Sequence, residues 1–486
     1  MRLIDVLPQE IAAPEGADRI LVKGVTAASS AVGPGWIFAA LPGAKTDGAM
    51  YIPDAVARGA AAVIVGDDKS AETAAGIPLI RVSSPRRALA LIAARFHPAQ
   101  PEVAVAVTGT SGKTSVADFT RQIFTLLGRK AASVGTIGII KPDGAIYGSL
   151  TTPDPVTLHA TLDGLAGEGV THLAFEASSH GLDQHRLDGV RLTAAAFTNL
   201  GRDHMDYHLT VEHYFNAKLR LFTELLQLGQ TAVINADGAC AEQVMAAAKT
   251  RGLKVMTVGA KGETLKLTSA RLDGFEQVLR LSIAARDYDV RLPLVGAYQV
   301  ENALVAAGLA MATGEDTSEV LAALSKLKGV PGRLEIVGQA NGGLAIVDYA
   351  HKPDALEAAL AACRPFVIGK LICVFGCGGD RDKGKRPMMG KISAEKADVT
   401  IITDDNPRTE FPAHIRREIL NAAPGAREIG DRAEAIGAAV EMMGKGDVVL
   451  VAGKGHETGQ IIGTTVIPFS DHEVLRLALA KVARHD

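Results

Sequence analysis

The segment from Val103 to Thr114 constrains this chain more than any other. An apolar, β-branched run, Val103 to Val107, leads directly into Thr108-Gly109-Thr110-Ser111-Gly112-Lys113-Thr114, and a helical pattern follows to Leu127. Strand, glycine loop and helix in that order present backbone N–H groups and the positive end of a helix to an anion, which suits phosphate. The first glycine of the general P-loop pattern is replaced by Val107, so the loop is a relative of that motif. The physics is the same: the glycine turn cradles phosphate oxygens, Lys113 neutralises them, and Thr114 offers a hydroxyl to Mg2+.

Further strand-like runs, Thr171 to Phe175 and Thr231 to Ile234, alternate with helical segments such as Val211 to Leu226. Such alternation predicts a doubly wound parallel sheet around the loop. A chain of 486 residues exceeds one ordinary core. Upstream, Ala61 to Val65 and Pro78 to Val82 read as strands and Tyr51 to Arg58 and Arg86 to Phe96 as helices, a small α/β unit closed by His97-Pro98-Ala99-Gln100-Pro101. Beyond Val330-Pro331-Gly332-Arg333 strands recur at Leu344 to Val347, Lys370 to Phe375, Val399 to Thr403 and Asp447 to Val451. The expectation is three α/β domains: residues 1–97; a central P-loop-type parallel-sheet domain over 98–330; and a Rossmann-like domain over 331–486.

With 47% hydrophobic residues, 22% charged residues and a net charge of −3, the composition is that of a globular protein with no sign of a nucleic-acid partner. No run of about 18 apolar residues offers a membrane span, so no membrane insertion and a cytoplasmic location are expected. Cys240, Cys363, Cys373 and Cys377 form neither a C-x-x-C pair nor a zinc spacing and read as ordinary reduced thiols.

Several polar segments sit at predicted strand ends, where open α/β sheets bind ligands. Glu176-Ala177-Ser178-Ser179-His180 places a metal-capable carboxylate after one strand, though a Glu before a Ser-Ser-His turn is by itself more often a helix cap. Arg202-Asp203-His204-Met205-Asp206-Tyr207-His208 follows another; His204 suits a metal with Asp203 behind it, and a solvated loop is as common a reading. Lys218 lies in an amphipathic helix and on its own reads as a surface lysine. In the last domain the loop from Gly376 to Pro387 offers Arg381, Lys385 and Arg386 to a carboxylate or phosphate, or is simply a solvated basic loop. Asp405-Asn406-Pro407-Arg408 and Gly453-Lys454-Gly455-His456-Glu457 follow two further strands, so three strand ends converge on one crevice.

Together Thr108 to Thr114, Glu176 to His180, Arg202 to His208 and Asp348-Tyr349-Ala350-His351, in that order, resemble the Mur ligases over nearly the whole chain. Thr151-Thr152-Pro153 and Asp405-Asn406-Pro407-Arg408 are similar to the branch of that family that adds diaminopimelate. The resemblance implies an ATP-dependent amide-forming ligase, acting through an acyl phosphate on UDP-MurNAc-L-Ala-D-Glu and meso-2,6-diaminopimelate, with Mg2+ and as a monomer. It implies that Gly109, Thr110, Ser111, Gly112, Lys113, Thr114 and Ser115 hold the ATP phosphates, and that Asn302, Arg333, Asp348 and His351 hold its adenosine side. Ser29, Thr151, Thr152, Ser178, Gln184 and Arg186 are implied for the UDP-muramoyl dipeptide. For diaminopimelate the implied residues are Arg381, Asp405, Asn406, Pro407, Arg408, Gly453 and Glu457. Metal binding is implied for Thr114, Glu176, His204 and Lys218, the last as an N6-carboxylysine formed with CO2, and Lys113, Glu176, His204 and Lys218 are the implied catalytic set. The chain has Ala28-Ser29-Ser30 where the family usually shows Asp-Ser-Arg, and Tyr298-Gln299 where it usually shows Phe-Asn. The alternatives are a lysine-adding relative, a folylpolyglutamate synthetase relative and a P-loop protein without bond-forming activity. Arg408 argues against the first, because diaminopimelate carries one more carboxylate than lysine and arginine is its bidentate partner.

Overall fold

A computed structural model of the chain describes residues 1–43, 46–67, 76–146 and 150–483. It contains two compact units, one of Met1–Glu263 with Val305–Asp316, the other of Thr264–Leu304 with Thr317–Asp486. Among the described residues no helix is long and apolar enough to cross a membrane.

The first unit opens with four parallel strands in chain order, Gly24–Thr26, Trp36–Ala39, Ala60–Gly66 and Leu79–Val82. One face of this sheet packs Ile37, Ile64 and Ile80 against Leu89 and Ile92 of the helix Pro85–Phe96; the other packs Phe38 and Val63 against Ile52 and Ala55 of the helix Ile52–Ala57. Because successive side chains point to opposite faces, an unbroken apolar run makes both faces apolar, and each face needs its own cover.

The larger sheet of this unit has Val103–Thr108 at its centre, between Ala194–Phe197 and His172–Glu176. Thr231–Asn235 and Lys254–Gly259 extend it beyond Ala194–Phe197, and Ala131–Gly135 beyond His172–Glu176, all parallel. From the central strand the chain runs to Ala131–Gly135, returns to His172–Glu176, then crosses to Ala194–Phe197 on the opposite flank. The winding direction reverses at the central strand, and such a reversal opens a crevice at the strands' carboxyl ends. Helix Lys113–Leu126 starts there.

In the second unit a six-stranded sheet runs Glu335–Ala340, Gly343–Asp348, Val448–Ala452, Leu371–Phe375, Val399–Ile402, Arg427–Glu428, and only the first strand is antiparallel. Leu344, Ile346, Cys373, Phe375 and Leu450 face Leu360, Met389 and Ile419 on one side. The intervening Ala345, Val347, Ile372, Val374 and Val451 face Ile436, Val440 and Leu475 on the other. Helices on both faces explain why these strands read as unbroken apolar runs.

Two features differ from the sequence reading. The helix expected over Val211 to Leu226 is α-helical only over Val211–Arg220, then widens into a π turn, Leu221–Leu225, closed by Leu226 N–H to Leu221 O at 3.1 Å. The second unit also carries an antiparallel meander, Leu265–Asp273, Glu276–Ile283 and Arg286–Leu292, that the sequence reading lacks. Its second hairpin turns on Ala284 and Ala285, at φ 48° and 62°. Two-residue hairpins of this hand normally announce themselves by Asn-Gly or Asp-Gly, and here that signal is missing. Cys240, Cys363, Cys373 and Cys377 are all unpaired, as expected.

Candidate functional site

In the first unit the loop after Val103–Thr108 depends on its two glycines. Gly109 sits at φ 148°, where an added Cβ would collide with the Thr198 hydroxyl, and Gly112 at φ 87° caps the helix. Hydrogen bonds to the segment after Ala194–Phe197 fix the loop: Ser111 N–H donates to Asn199 Oδ1 at 3.0 Å, Gly201 N–H to Thr110 Oγ1 at 2.8 Å, and Thr198 Oγ1 to Ser111 O at 2.7 Å. Lys113 Nζ bends back onto Gly109 O at 2.9 Å and Thr110 O at 2.8 Å.

Lys218 reaches the same carbonyl. Its side chain is 1% exposed, Nζ donates to Gly109 O at 2.7 Å, and Nζ lies 4.2 Å from the centroid of Tyr214. Reading the helix as a solvated amphipathic one was therefore wrong for this residue. Burial, reinforced by the Lys113 ammonium, lowers its pKa to about 6, so the amine is neutral at physiological pH. Tyr214 OH lies 3.1 Å from Thr110 Oγ1, which ties the lysine's helix to the loop.

Glu176 ends the strand beside the loop strand, 2% exposed. Oε1 accepts from Thr136 N–H at 2.7 Å and Oε2 from the Thr136 hydroxyl at 3.3 Å. The carboxylate fills the space above Gly135, where any Cβ would strike it. His204 is exposed and left-handed at φ 55°, beside Asp203 at 3.6 Å and with its ring 4.8 Å from His180 and 6.4 Å from Tyr214. A non-glycine residue held at positive φ is strained, and strain of this kind collects at functional loops.

Of the residues singled out for the dipeptide, Thr151, Thr152, Ser178, Gln184 and Arg186 form one network. Thr136 Oγ1 lies 3.0 Å from Thr151 Oγ1, Thr152 Oγ1 donates to Glu176 O at 2.8 Å, and Ser178 N–H donates to Thr152 Oγ1 at 3.1 Å. Arg186 donates to Thr152 O at 2.6 Å and to Gln184 Oε1 at 2.7 Å, and Gln184 Nε2 donates to Tyr207 OH at 3.1 Å. Gln184 and Arg186 also line a cavity of about 480 Å³ with Thr26, Leu41, Arg86 and Asp154. Ser29 is absent from that lining; its hydroxyl, with Arg58, holds the Asp54 carboxyl below its usual range. Arg86, which sequence reasoning missed, anchors to Pro42 O at 2.6 Å. It starts an ordinary proline-led helix and carries no motif. A larger cavity of about 760 Å³, lined by Arg191, Leu192, Gln230 and Arg251, opens at the amino ends of the strands. That is the opposite end of the sheet from the glycine loop.

The second unit assembles two groups. Asn302 Nδ2 donates to Gln299 Oε1 at 3.0 Å and Gln299 Nε2 to Arg333 O at 3.2 Å; the Arg333 guanidinium stands 5.6 Å from the Tyr349 ring, and His351 Nδ1 lies 2.8 Å from Tyr349 O. Asp348 accepts from Leu334 N–H at 2.7 Å and Ala350 N–H at 2.8 Å, and burial raises its pKa to about 6. In the other group the strand ends at Phe375, Ile402 and Ala452 bring together the loops expected to form a crevice. Asn406 Nδ2 donates to Glu457 Oε2 at 3.0 Å, and Arg408, left-handed at φ 52°, donates to Gly379 O at 2.9 Å. A Cβ on Gly453 would come within 2.8 Å of Asp405 Oδ2, and one on Gly379 would hit Pro407 O. Asp380 is tied to Thr409 by bonds of 2.7 and 3.0 Å, and the next residue, Arg381, is exposed. Arg386 corrects the expectation of an anion-binding loop residue: it is fully buried and ion-paired to Glu410 at 2.8 Å and Glu418 at 2.9 Å. Lys385 donates to His351 O at 2.7 Å.

Family models described as the Mur ligase catalytic, middle and glutamate ligase domains match residues 21–97, 107–310 and 332–455. A protein of Bradyrhizobium diazoefficiens named UDP-N-acetylmuramoyl-L-alanyl-D-glutamate--2,6-diaminopimelate ligase is 58% identical over 484 residues, covering 99% of each chain. One of the same name from Brucella melitensis is 55% identical over 99% of this chain and 98% of its own. A solved structure of a ligase with that name superposes with a TM-score of 0.75 at 34% identity, covering 100% of this chain and 99% of the other. The three matched segments, taken with likeness that runs end to end, place the chain in the Mur ligase family.

Proposed function

We propose that this chain joins meso-2,6-diaminopimelate to the γ-carboxylate of the D-glutamyl residue of UDP-N-acetylmuramoyl-L-alanyl-D-glutamate, using ATP, in the cytoplasmic synthesis of peptidoglycan precursors. The observation that carries this reading is 58% identity, across 99% of both chains, to a relative named for that reaction. The crevice with Arg408 and Glu457 supports it, because it offers a guanidinium and a carboxylate to an amino acid's two charges. The domain boundaries proposed are 1–97 for the UDP-muramoyl end, 98–330 for ATP and 331–486 for the incoming amino acid; the matched segments fall inside them.

A carboxylate is a poor electrophile, so the reaction proceeds in two balanced steps. ATP's γ-phosphoryl group passes to a carboxylate oxygen, the bond to the β-phosphate oxygen breaks, and ADP leaves an acyl phosphate. The amine of diaminopimelate attacks the carbonyl carbon, the tetrahedral intermediate expels inorganic phosphate, and the amine nitrogen gives up a proton. Loop residues Gly109 to Ser115 bind the phosphates through the N–H groups that Asn199 does not already occupy, and Lys113 swings from its carbonyl contacts to offset the charge on the phosphoryl oxygens. Asn302, Arg333, Asp348 and His351 take the adenosine side. Ser29, Thr151, Thr152, Ser178, Gln184 and Arg186 position the UDP-linked dipeptide. Arg381 and Arg408 hold a diaminopimelate carboxylate, and Glu457 its ammonium, between Asp405, Asn406, Pro407 and Gly453.

The buried, neutral amine of Lys218 is the form that attacks CO2; the adduct releases a proton and becomes a carbamate, an oxygen-bearing anion. The donor set suits Mg2+, a hard ion that in phosphoryl-transfer sites takes a few protein oxygens and completes its shell with phosphate and water. Thr114 and Glu176 would hold one ion, carbamylated Lys218 and His204 a second. Bound there, Mg2+ supplies charge neutralisation along the transferring phosphoryl group.

Phosphate release by the purified chain with ATP and UDP-muramoyl-Ala-Glu, comparing meso-diaminopimelate with L-lysine, tests the reading. Release with diaminopimelate alone is expected. Release with lysine in preference would overturn the role given to Arg408, and no release with either would overturn the ligase.

A further inference from the structure

We infer that Lys454 is a positioning residue of the amino-acid site, whose ammonium locks the Asn406 amide and the Glu457 carboxylate so that one oxygen of Glu457 faces the incoming ammonium. The inference rests on the function proposed above.

Lys454 is 0% exposed, and its Nζ donates to Asn406 Oδ1 at 2.9 Å and Glu457 Oε2 at 3.0 Å. Asn406 Oδ1 accepts a second bond, from Ile461 N–H at 3.0 Å, while Asn406 Nδ2 donates to Glu457 Oε2 at 3.0 Å. The amide therefore has one allowed orientation. Turned over, it would face its NH2 toward an ammonium and an N–H, both of which only donate. Two donors saturate Glu457 Oε2. Oε1 has no partner among the described residues, and the side chain is 34% exposed, so this oxygen remains for a ligand.

Charge bookkeeping supports the same assignment. A buried ammonium is tolerated when a carboxylate answers it. The neighbouring buried Arg432 has its own carboxylate, Asp471, at 2.7 and 2.8 Å, which leaves Glu457 to Lys454. The backbone aims the lysine inward: Gly453 at φ 118° and Gly455 at φ 54° flank it, and a Cβ on Gly455 would come within 2.7 Å of Tyr349. Lys454 touches none of the reacting atoms in this account. It sets the direction of groups that hold the incoming amino acid.

The test is steady-state kinetics of Lys454→Met and Lys454→Gln with all three substrates varied. For Lys454→Met the KM for diaminopimelate should rise at least about tenfold, the equivalent of one good charge-assisted contact. The KM values for ATP and the UDP-dipeptide should stay within about twofold, and kcat at saturating diaminopimelate should be retained. Lys454→Gln keeps a donor for Asn406 without the charge and should fall between; it carries the test alone if the methionine variant does not fold. Equal changes in all three KM values, a uniform fall in kcat, or an unchanged KM for diaminopimelate would overturn the inference while the wild type still turns over. A wild type that releases no phosphate with diaminopimelate would instead overturn the proposed function, and this inference with it.

Discussion

Two lysines, one in each unit, are almost completely removed from water, and their surroundings give them opposite characters. Lys218 has a carbonyl oxygen and an aromatic face for company, and a second ammonium, Lys113, shares that carbonyl. No carboxylate accepts a hydrogen bond from it among the described residues, and its proton is held weakly. Lys454 is held by a carboxylate and an amide oxygen, both in good geometry. Burial without a counterion makes an amine a nucleophile; burial with one makes it a fixed charge that orients others. The exposure figures, 1% and 0%, do not separate these roles, and the partners do.

The comparison breaks most easily at Lys218. Lys218→Met should lower phosphate release by at least about a hundredfold, the scale of losing one preorganised group in a phosphoryl-transfer site. The same variant sharpens the comparison through pH. An unfolded lysine titrates near about 10.4, whereas Lys218 in the fold titrates at about 6. Between those values the unfolded chain binds the extra proton, so stability rises with pH across that window, by up to about 1.4 kcal/mol per unit. Urea unfolding in CO2-free buffer from pH 6.5 to 8.5 should therefore show a slope that Lys218→Met removes; equal slopes in both proteins would mean that the buried amine keeps its proton.

On the other side of the comparison, Arg408→Met should raise the KM for diaminopimelate about tenfold and leave that for ATP unchanged, as measured by the same phosphate assay. The smallest effect lies away from both lysines. Ala284→Asn with Ala285→Gly should raise stability by about 0.5–1 kcal/mol, because both positions have φ above zero, and should leave turnover untouched. Thermal unfolding beside the rate assay checks it.

The doubly wound core was legible because helices cover both faces of its strands, and runs such as Val103 to Val107 can be little else. The loops at strand ends were legible for a related reason: polar residues directly after a buried strand have only the sheet's rim to occupy. Lys218 was not. Amphipathic spacing says which face of a helix is apolar, and nothing in the spacing reports that a loop carbonyl from more than a hundred residues upstream arrives to receive the ammonium. Arg386 failed in the same sense, since a basic loop residue reads as solvated until Glu410 and Glu418 are seen to enclose it. Asn302 shows a departure from the family pattern absorbed locally, with Gln299 supplying the oxygen that holds its amide.

The space above Gly135 bears on how an inhibitor of this protein would fare. The Glu176 carboxylate occupies the volume that a side chain at Gly135 would need. A compound that leaned on this wall could not be dislodged by thickening it, because the first methyl group added would displace the carboxylate before reaching the drug. Substitution of Gly135 would carry its own penalty, so resistance would have to arise at another residue.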